Sequence, residues 1–448
     1  MKQKSVAAVT LGCKVNYAET SAILDSLVSE GWRLTHDEYC ADLVIVHTCA
    51  VTGQAEKKTR QQIRKIIRKN PGGRVAVIGC YAQLDPARLA GIDGVSLVLG
   101  TTDKFDCSHY SYEAEQGNRS PMVKVSSVRD LDVACAANSM LSQPEQGRTR
   151  AFLKIQDGCS YGCAYCTIPL ARGRSRSVPV DTLVESANKI ADAGYHEIVL
   201  TGINIADYRD GDIGFSTLLK RLEKVAVNRI RIGSVEPDLL DDELVETVAR
   251  SGKIMPHFHL PLQSGSDKLL RAMGRHYDTK SYRERLNKAV SSIPGCGIGA
   301  DVMIGYPGEN ENDFEEMYRF IEDLPVAYLH VFTCSVRPGT PLFRQVADKT
   351  LTRVHPDEAA SRYDRLVDLG RGIERRFAES FIGGRLRVLF EEGPHVQDGT
   401  LQWSGYSGNY LRVGVDADLS PGEMRGREYD VFIEGIGDDL QLHGRLLF

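Results

Sequence analysis

Three cysteines stand close together in Cys159-Ser-Tyr-Gly-Cys163-Ala-Tyr-Cys166, a C-x3-C-x2-C spacing. Thiolates are soft ligands that suit zinc or an iron–sulfur cluster. A structural zinc site needs a fourth protein ligand to close its tetrahedron. The nearest His or Cys on either side, Cys135 and His196, lie outside the loop. Three thiolates on a four-iron cluster would instead leave one iron open to a chelating small molecule, which could then accept an electron. Spacing alone leaves both the zinc knob and the cluster open. The loop follows the first strand expected of a barrel-like domain, on the face where such folds carry catalysis, and this favours the cluster.

Cys13, Cys49 and Cys80 are far apart in sequence but share a setting, because each ends an apolar, strand-like run: 6–12, 43–48 and 74–79. In a parallel sheet the carboxyl ends of the strands lie along one edge, where ligands gather. Three thiols on that edge could converge on one metal group; the alternative is three buried structural cysteines. Cys40, Cys107, Cys135, Cys296 and Cys334 share no spacing and read as structural.

The elements that must position these groups come from periodicity. Strand-like and helix-like segments alternate through the first hundred residues, which predicts an open parallel α/β sheet domain over 1–110. A polar linker follows over 111–147, ending in the stretch 142–147 and carrying a strand near 122–128. Six further strand-plus-helix units, with strands at 152–155, 197–200, 229–234, 257–261, 299–303 and 328–332, predict a partial (β/α)6 barrel within 148–380. That is fewer than the eight of a closed barrel. A long helix at 355–381 leads into five short strands over 381–448, read as a small β-barrel.

Composition bounds the rest. Of 448 residues, 42% are apolar and 26% charged, as in folded globular proteins. The net charge of −5 excludes a globally basic nucleic-acid binder but leaves room for local patches. No apolar run approaches the ~18 residues of a membrane span. An odd cysteine count and the lack of an export-like start point to a reducing cytoplasm.

Gln156-Asp157-Gly158-Cys159 through Cys166-Thr-Ile-Pro169 and Arg172-Gly-Arg174-Ser-Arg176-Ser177 resembles the radical S-adenosylmethionine (SAM) loop of the methylthiotransferase family. Thr10-Leu-Gly-Cys13-Lys-Val-Asn16, Thr48-Cys49-Ala-Val-Thr52 and Gly79-Cys80-Tyr-Ala-Gln83 resemble that family's amino-terminal domain. The resemblance implies two [4Fe-4S] clusters, one on Cys159, Cys163 and Cys166 and one on Cys13, Cys49 and Cys80. The first cleaves SAM to a 5′-deoxyadenosyl radical; the second holds the sulfur that another SAM methylates. By resemblance, Tyr165, Gly202, Ser234, Glu236, Gln263 and Asp301 are SAM contacts. His47 departs from the family, which commonly has Asn there, and is expected to face solvent.

The Leu-Gly-Cys-Lys-Val-Asn opening is similar to the MtaB-type branch. This implies tRNA as substrate, with carbon 2 of N6-threonylcarbamoyladenosine beside the anticodon methylthiolated, an electron donor such as flavodoxin or ferredoxin, and a sulfur donor. Sister branches act on isopentenyladenosine in tRNA or on a ribosomal protein, and a zinc-containing RNA-binding protein is the non-catalytic alternative. For RNA contact the sequence offers the basic run 57–74, then Arg172, Arg174 and Arg176, and a carboxy-terminal segment that resembles a TRAM domain. There Arg385, Arg387 and Arg412 with Trp403 and Tyr406 would grip RNA, although six Arg face eleven Asp and Glu.

Overall fold

The computed structural model describes residues 3–111, 120–129, 131–138, 149–397 and 400–447; the polar stretch at 142–147 lies outside them. The amino-terminal domain is a six-stranded, wholly parallel sheet in the order Arg33–Leu34, Ser5–Thr10, Leu43–Thr48, Arg74–Gly79, Val95–Leu99, Met122–Lys124. The three strands that precede Cys13, Cys49 and Cys80 are therefore immediate neighbours at its centre. The apolar residues of Leu43–Thr48 are buried on both faces, Val44 and Val46 in one cluster and Leu43 and Ile45 in another, as a covered parallel strand requires. Met122–Lys124 completes the sheet beside Val95–Leu99, so this part of the expected linker is built into the domain.

The spacing of Ile23, Leu24, Leu27 and Val28 predicts a helix over 19–30, but helix Lys14–Ser29 starts five residues earlier, with Cys13 as its N-cap. Its first turn buries Val15 and Asn16, and Asn16 donates to the carbonyls of Leu11 (2.8 Å) and Thr48 (3.1 Å). A polar side chain thus anchors the turn, which is why hydrophobic spacing does not reveal it.

The central domain has six parallel strands, Arg150–Lys154, Glu197–Thr201, Arg229–Arg231, His257–His259, Gly297–Ile304 and Tyr328–Thr333. The first three pair with one another, as do the last three. Parallel bridges Ile230 to Ile254 and Ser234 to His259 join the two halves into the expected partial barrel. Ala137–Asn138 adds an antiparallel edge beside the first strand. Ile298, Ala300, Val302 and Ile304 pack into the core under the helices, which leaves Gly299 and Asp301 on the lumen side.

Helix Pro356–Glu379 then leads to a closed five-stranded barrel. This barrel corrects the expected RNA contacts. Trp403 is 1% exposed in its core, beyond the reach of a stacking base. Tyr406 stacks on Tyr410 at 5.1 Å, with Arg150 of the central domain 5.1 Å from its ring. The turn that carries both tyrosines is a docking surface: Arg231 donates to the carbonyls of Ser407 (3.2 Å) and Gly408 (2.9 Å), and Asn409 donates to Gly295 O (3.0 Å). Two of the acidic residues have the same use, Glu391 pairing Arg150 at 2.6 Å and Glu428 pairing Arg229. Arg385 and Arg387 stay exposed but pair with Asp430 and Glu428.

Candidate active site: two thiol triads at the domain junction

Cys13 caps a helix, Cys49 follows its strand directly, and Cys80 opens the short helix Cys80–Leu84. A Cβ on Gly12 would stand 3.2 Å from the Cys49 sulfur, so the first two strand ends are in contact. Burial pushes the Cys49 thiol up to about 11, and Cys80 and Cys13 add to the rise. Cys13 opens into the cleft but is ringed by protein that raises its pKa, again with a contribution from Cys80. Cys13 Sγ lies 3.8 Å from Asn16 Oδ1, and Arg172 binds that oxygen at 2.9 Å and the Cys80 sulfur at 3.2 Å, so the three cysteines stand on one edge of the sheet.

Cys80 has a cation against it: Arg172 Nε donates to its sulfur at 3.2 Å. The same guanidinium binds Glu19 (3.0 Å), Asp157 (2.9 Å) and the Asn16 side chain (2.9 Å). Lys104 and Lys154 also converge on Glu19, at 2.7 and 2.6 Å. Asp157 takes Lys154 at 2.7 Å and Arg176 at 3.3 Å. Lys104, Lys154, Arg172 and Arg176, four cations, thus surround two carboxylates, an excess of two positive charges beside Cys80. Such an excess fits three thiolates and an anionic cluster.

This network corrects two expectations. Arg172 and Arg176 are buried and committed to carboxylates, so of the three loop arginines only Arg174 is exposed for phosphate. His47 does not face solvent but is fully buried, with Nδ1 2.8 Å from Thr20 Oγ1 and Nε2 3.6 Å from Glu19. Burial, then Lys104, lowers its pKa well below the ordinary imidazole value despite Glu19. The His47 ring fills space that a side chain at residue 79 would need: a Cβ on Gly79 would lie 2.5 Å from it, and Gly79 has φ +98°. Gly79→Ala is expected to displace the Cys80 turn and destabilise the domain by about 2 kcal/mol or more; urea denaturation checks this.

The network also carries a pH dependence. Burial opposes ionisation of Glu19 and Asp157, but Arg172, Lys104 and Lys154 outweigh it at Glu19, and Lys154, Arg172 and Arg176 at Asp157, and hold both carboxyls below their usual range. A depressed folded pKa gives stability that is full above the unfolded value, about 4, and is lost as pH falls through the folded value. Acid titration of stability should therefore show a loss beginning near pH 4 that is reduced in Glu19→Gln.

The second triad lies across the junction. Burial raises Cys159 to about 11 and Cys166 to about 12, and in both cases Cys163 adds to the rise. Arg275 donates to Cys163 Sγ at 3.3 Å and to Tyr165 Oη at 3.4 Å, and pairs with Glu236. Two of the expected cofactor residues, Tyr165 and Glu236, are thereby joined to the cysteine loop by an arginine that the sequence reading did not assign. Gly202 is held by Gln156, whose Oε1 accepts from Ile203 N and Asn204 N, both at 2.9 Å. Gln263 adopts φ +64° and its Oε1 is buried without a partner among the described residues; both polar atoms of the Asn204 side chain are likewise unpaired. Ser234 bridges to His259 at the seam. Asp301 sits deeper, three residues before its strand ends, held by His259 and His330. Three thiols with no fourth protein ligand among the described residues, beside unpaired amide groups, fit a cluster with an open iron and a polar ligand such as SAM.

Two sets of contacts join the first domain to the central one. Arg172, at one end of the radical-loop segment, binds Glu19 and Cys80 of the first domain, and Asp157, at the other end, shares Arg172 and Lys154 with Glu19. At the other side Gly53 N donates to Ser335 Oγ at 3.1 Å, and Arg337 pairs with Glu56.

The Radical SAM superfamily model matches residues 153–321, and that of Uncharacterized protein family UPF0004 matches 5–100. A radical S-adenosylmethionine methyltransferase, TsrM from Kitasatospora setae, solved with cobalamin and a [4Fe-4S] cluster, shares the fold with TM-score 0.56 and 16% identity over 78% of each chain. The fold and the Cys159 loop define the class, a radical SAM enzyme. Threonylcarbamoyladenosine tRNA methylthiotransferase MtaB of Bacillus subtilis is 38% identical over 91% of this chain and 90% of its own. The protein of that name from Aquifex aeolicus is 34% identical over 86% and 93%. The chain belongs to the MtaB family of tRNA methylthiotransferases. That membership implies a [4Fe-4S] cluster and SAM. Among the described residues no helix is long and apolar enough to cross a membrane.

Proposed function

We propose that this enzyme replaces the carbon-2 hydrogen of N6-threonylcarbamoyladenosine, next to the anticodon in tRNA, with a methylthio group. One observation carries the reading: Arg172 binds the Cys80 sulfur at 3.2 Å and Asp157, two residues before Cys159, at 2.9 Å, so it links the two three-cysteine segments. The substrate follows the relatives named above. When bound, one four-iron cluster on Cys159, Cys163 and Cys166 supplies the electron that cleaves SAM, and a second on Cys13, Cys49 and Cys80 carries the sulfur. Arg275 fixes Tyr165, Glu236 and Cys163 around the SAM position, and Asn204 and Gln263 offer it their unpaired amides. Arg172, with the cations around it, balances negative charge at Cys80. The C–H bond at carbon 2 has no acidity for a side-chain base to exploit, so a radical route is needed.

A flavodoxin- or ferredoxin-like electron donor and a separate sulfur donor complete the cycle in the cytoplasm. The exposed basic face of helix Gly53–Lys69, with Lys57, Arg64, Lys65 and Arg68, offers tRNA phosphates a contact beside the cleft. Nucleoside mass spectrometry of tRNA from a deletion strain tests the reading. Loss of the methylthio-threonylcarbamoyl nucleoside, restored by the gene, is expected; its persistence contradicts the proposal.

A further inference from the structure

Asp301, a SAM contact by resemblance, is held in a cluster with two lumen-facing histidines, His259 and His330, to which nothing above gives a role. Asp301 Oδ1 lies 3.0 Å from His259 Nε2 and 3.3 Å from His330 Nδ1. The ligand atoms of the three lie within 4.8 Å of one another. Burial pushes the Asp301 carboxyl up, but hydrogen bonds from the two imidazoles outweigh it and keep Asp301 ionised. With one nitrogen of each ring engaged by Asp301, no other hydrogen bond is made by either ring among the described residues. The cluster is graded by depth: the His330 side chain is 62% exposed, Asp301 27% and His259 16%.

Beneath it lies a polar floor. His257 is 4% exposed; its Nε2 is 3.0 Å from Tyr328 Oη, and its Nδ1 is buried with no partner among the described residues. Gly299 leaves room for the Tyr328 ring, since a Cβ there would stand 2.2 Å from it. Tyr410 closes the bottom, 4.9 Å from the His257 ring. The ammonium of Lys14, next to Cys13, lies 5.9 Å from the Tyr410 ring, so the cationic edge of the first domain reaches the same space. Three histidines, two tyrosines and a lysine around Asp301, with Glu374 near His330 and Tyr328, make a polar, hydrogen-bonding lumen. An alkenyl substituent would offer no partner to the buried His257 Nδ1 or to the second nitrogens of His259 and His330, whereas an anionic, hydroxylated one would.

We infer that His259 and His330, positioned by Asp301, bind the carboxylate and hydroxyl of the threonyl group on the substrate's N6 atom and so set the enzyme's specificity. This rests on the substrate assigned above and deepens it by naming the recognising residues. Each imidazole donates one N–H to Asp301 and, when protonated, has a second N–H for the ligand carboxylate. His330 is at the mouth, where the substituent enters, and its exposure allows replacement without disturbing the core.

The test uses the reconstituted full-length enzyme and three anticodon stem-loop RNAs. One carries N6-threonylcarbamoyladenosine, one its methyl ester, and one dimethylallyladenosine. KM and kcat for methylthiolation are measured for the wild-type enzyme, His330→Leu and His330→Gln, with RNA-independent SAM cleavage as the control for an intact site. Loss of a charge-assisted hydrogen bond should raise KM for the ester over the acid by about tenfold to a hundredfold in the wild type. His330→Leu should bring the acid to the KM of the ester with kcat little changed, and His330→Gln should fall between. An ester-to-acid ratio near one in the wild type, or an unchanged ratio in His330→Leu, overturns the inference while leaving the assigned substrate standing. If His330→Leu loses SAM cleavage, the wild-type ratio and His330→Gln decide by the same criterion. A wild-type enzyme that modifies only the dimethylallyl RNA overturns the substrate assignment, and this inference with it.

Discussion

Replacing Cys13, Cys49 or Cys80 with Ala leaves SAM cleavage in place and stops methylthiolation. Each of these cysteines follows one of three adjacent strands, and Arg172 binds both the Cys80 sulfur and the Asn16 side chain beside Cys13, so losing one opens the whole ligand set. The loop with Cys159, Cys163 and Cys166 is held by Arg275, Glu236 and Gln156, none of which touches the first triad. Chromatography of 5′-deoxyadenosine and mass spectrometry of the RNA nucleosides read the two activities separately. Methylthiolation is expected to fall by about a thousandfold or more, as for loss of a cofactor rather than of one contact. Substituting Cys159, Cys163 or Cys166 should abolish both activities. Equal loss of both in the first set would mean that the labour is divided differently.

Arg172→Met should be the most damaging single change away from the cysteines. The guanidinium contacts the Cys80 sulfur, two carboxylates and Asn16 with no exposed surface. Burial opposes its charge, but Cys80, Glu19 and Asp157 raise its pKa well above the ordinary value, so it stays a cation. Removing one member of a buried charge network leaves the others uncompensated and costs about 3–5 kcal/mol. Urea denaturation should show this loss, and the variant should retain less iron at the first triad than at the second. Arg172→Lys keeps the charge but not the fork that spans Glu19, Asp157 and Asn16, and should recover only part of the stability. An unchanged denaturation midpoint in Arg172→Met would show that the network does not join the domains.

The positions of the six cysteines were legible because strand and helix periods mark strand ends well. The strand order then made neighbours of three runs that are far apart in sequence. The charge network was not legible. Glu19 meets Lys104 and Arg172, 85 and 153 residues away, and nothing local in the chain announces such pairs. His47 illustrates the same limit: a polar residue in an apolar strand reads as solvent-facing until Thr20, Glu19 and the missing side chain of Gly79 are seen around it. Trp403 and the acidic carboxy-terminal segment misled for a related reason. An aromatic in a short strand suits a core or a stacking platform equally, and acidity that looks wrong for RNA is right for docking on Arg150 and Arg229.

The most direct measurement is iron and sulfide per chain after anaerobic reconstitution. About eight of each are predicted for the wild-type chain, and about four for a chain lacking either triad, because the proposal assigns one four-iron cluster to each three-thiolate set. About four of each in the wild type, or zinc in place of iron, would contradict two cluster sites on one cleft.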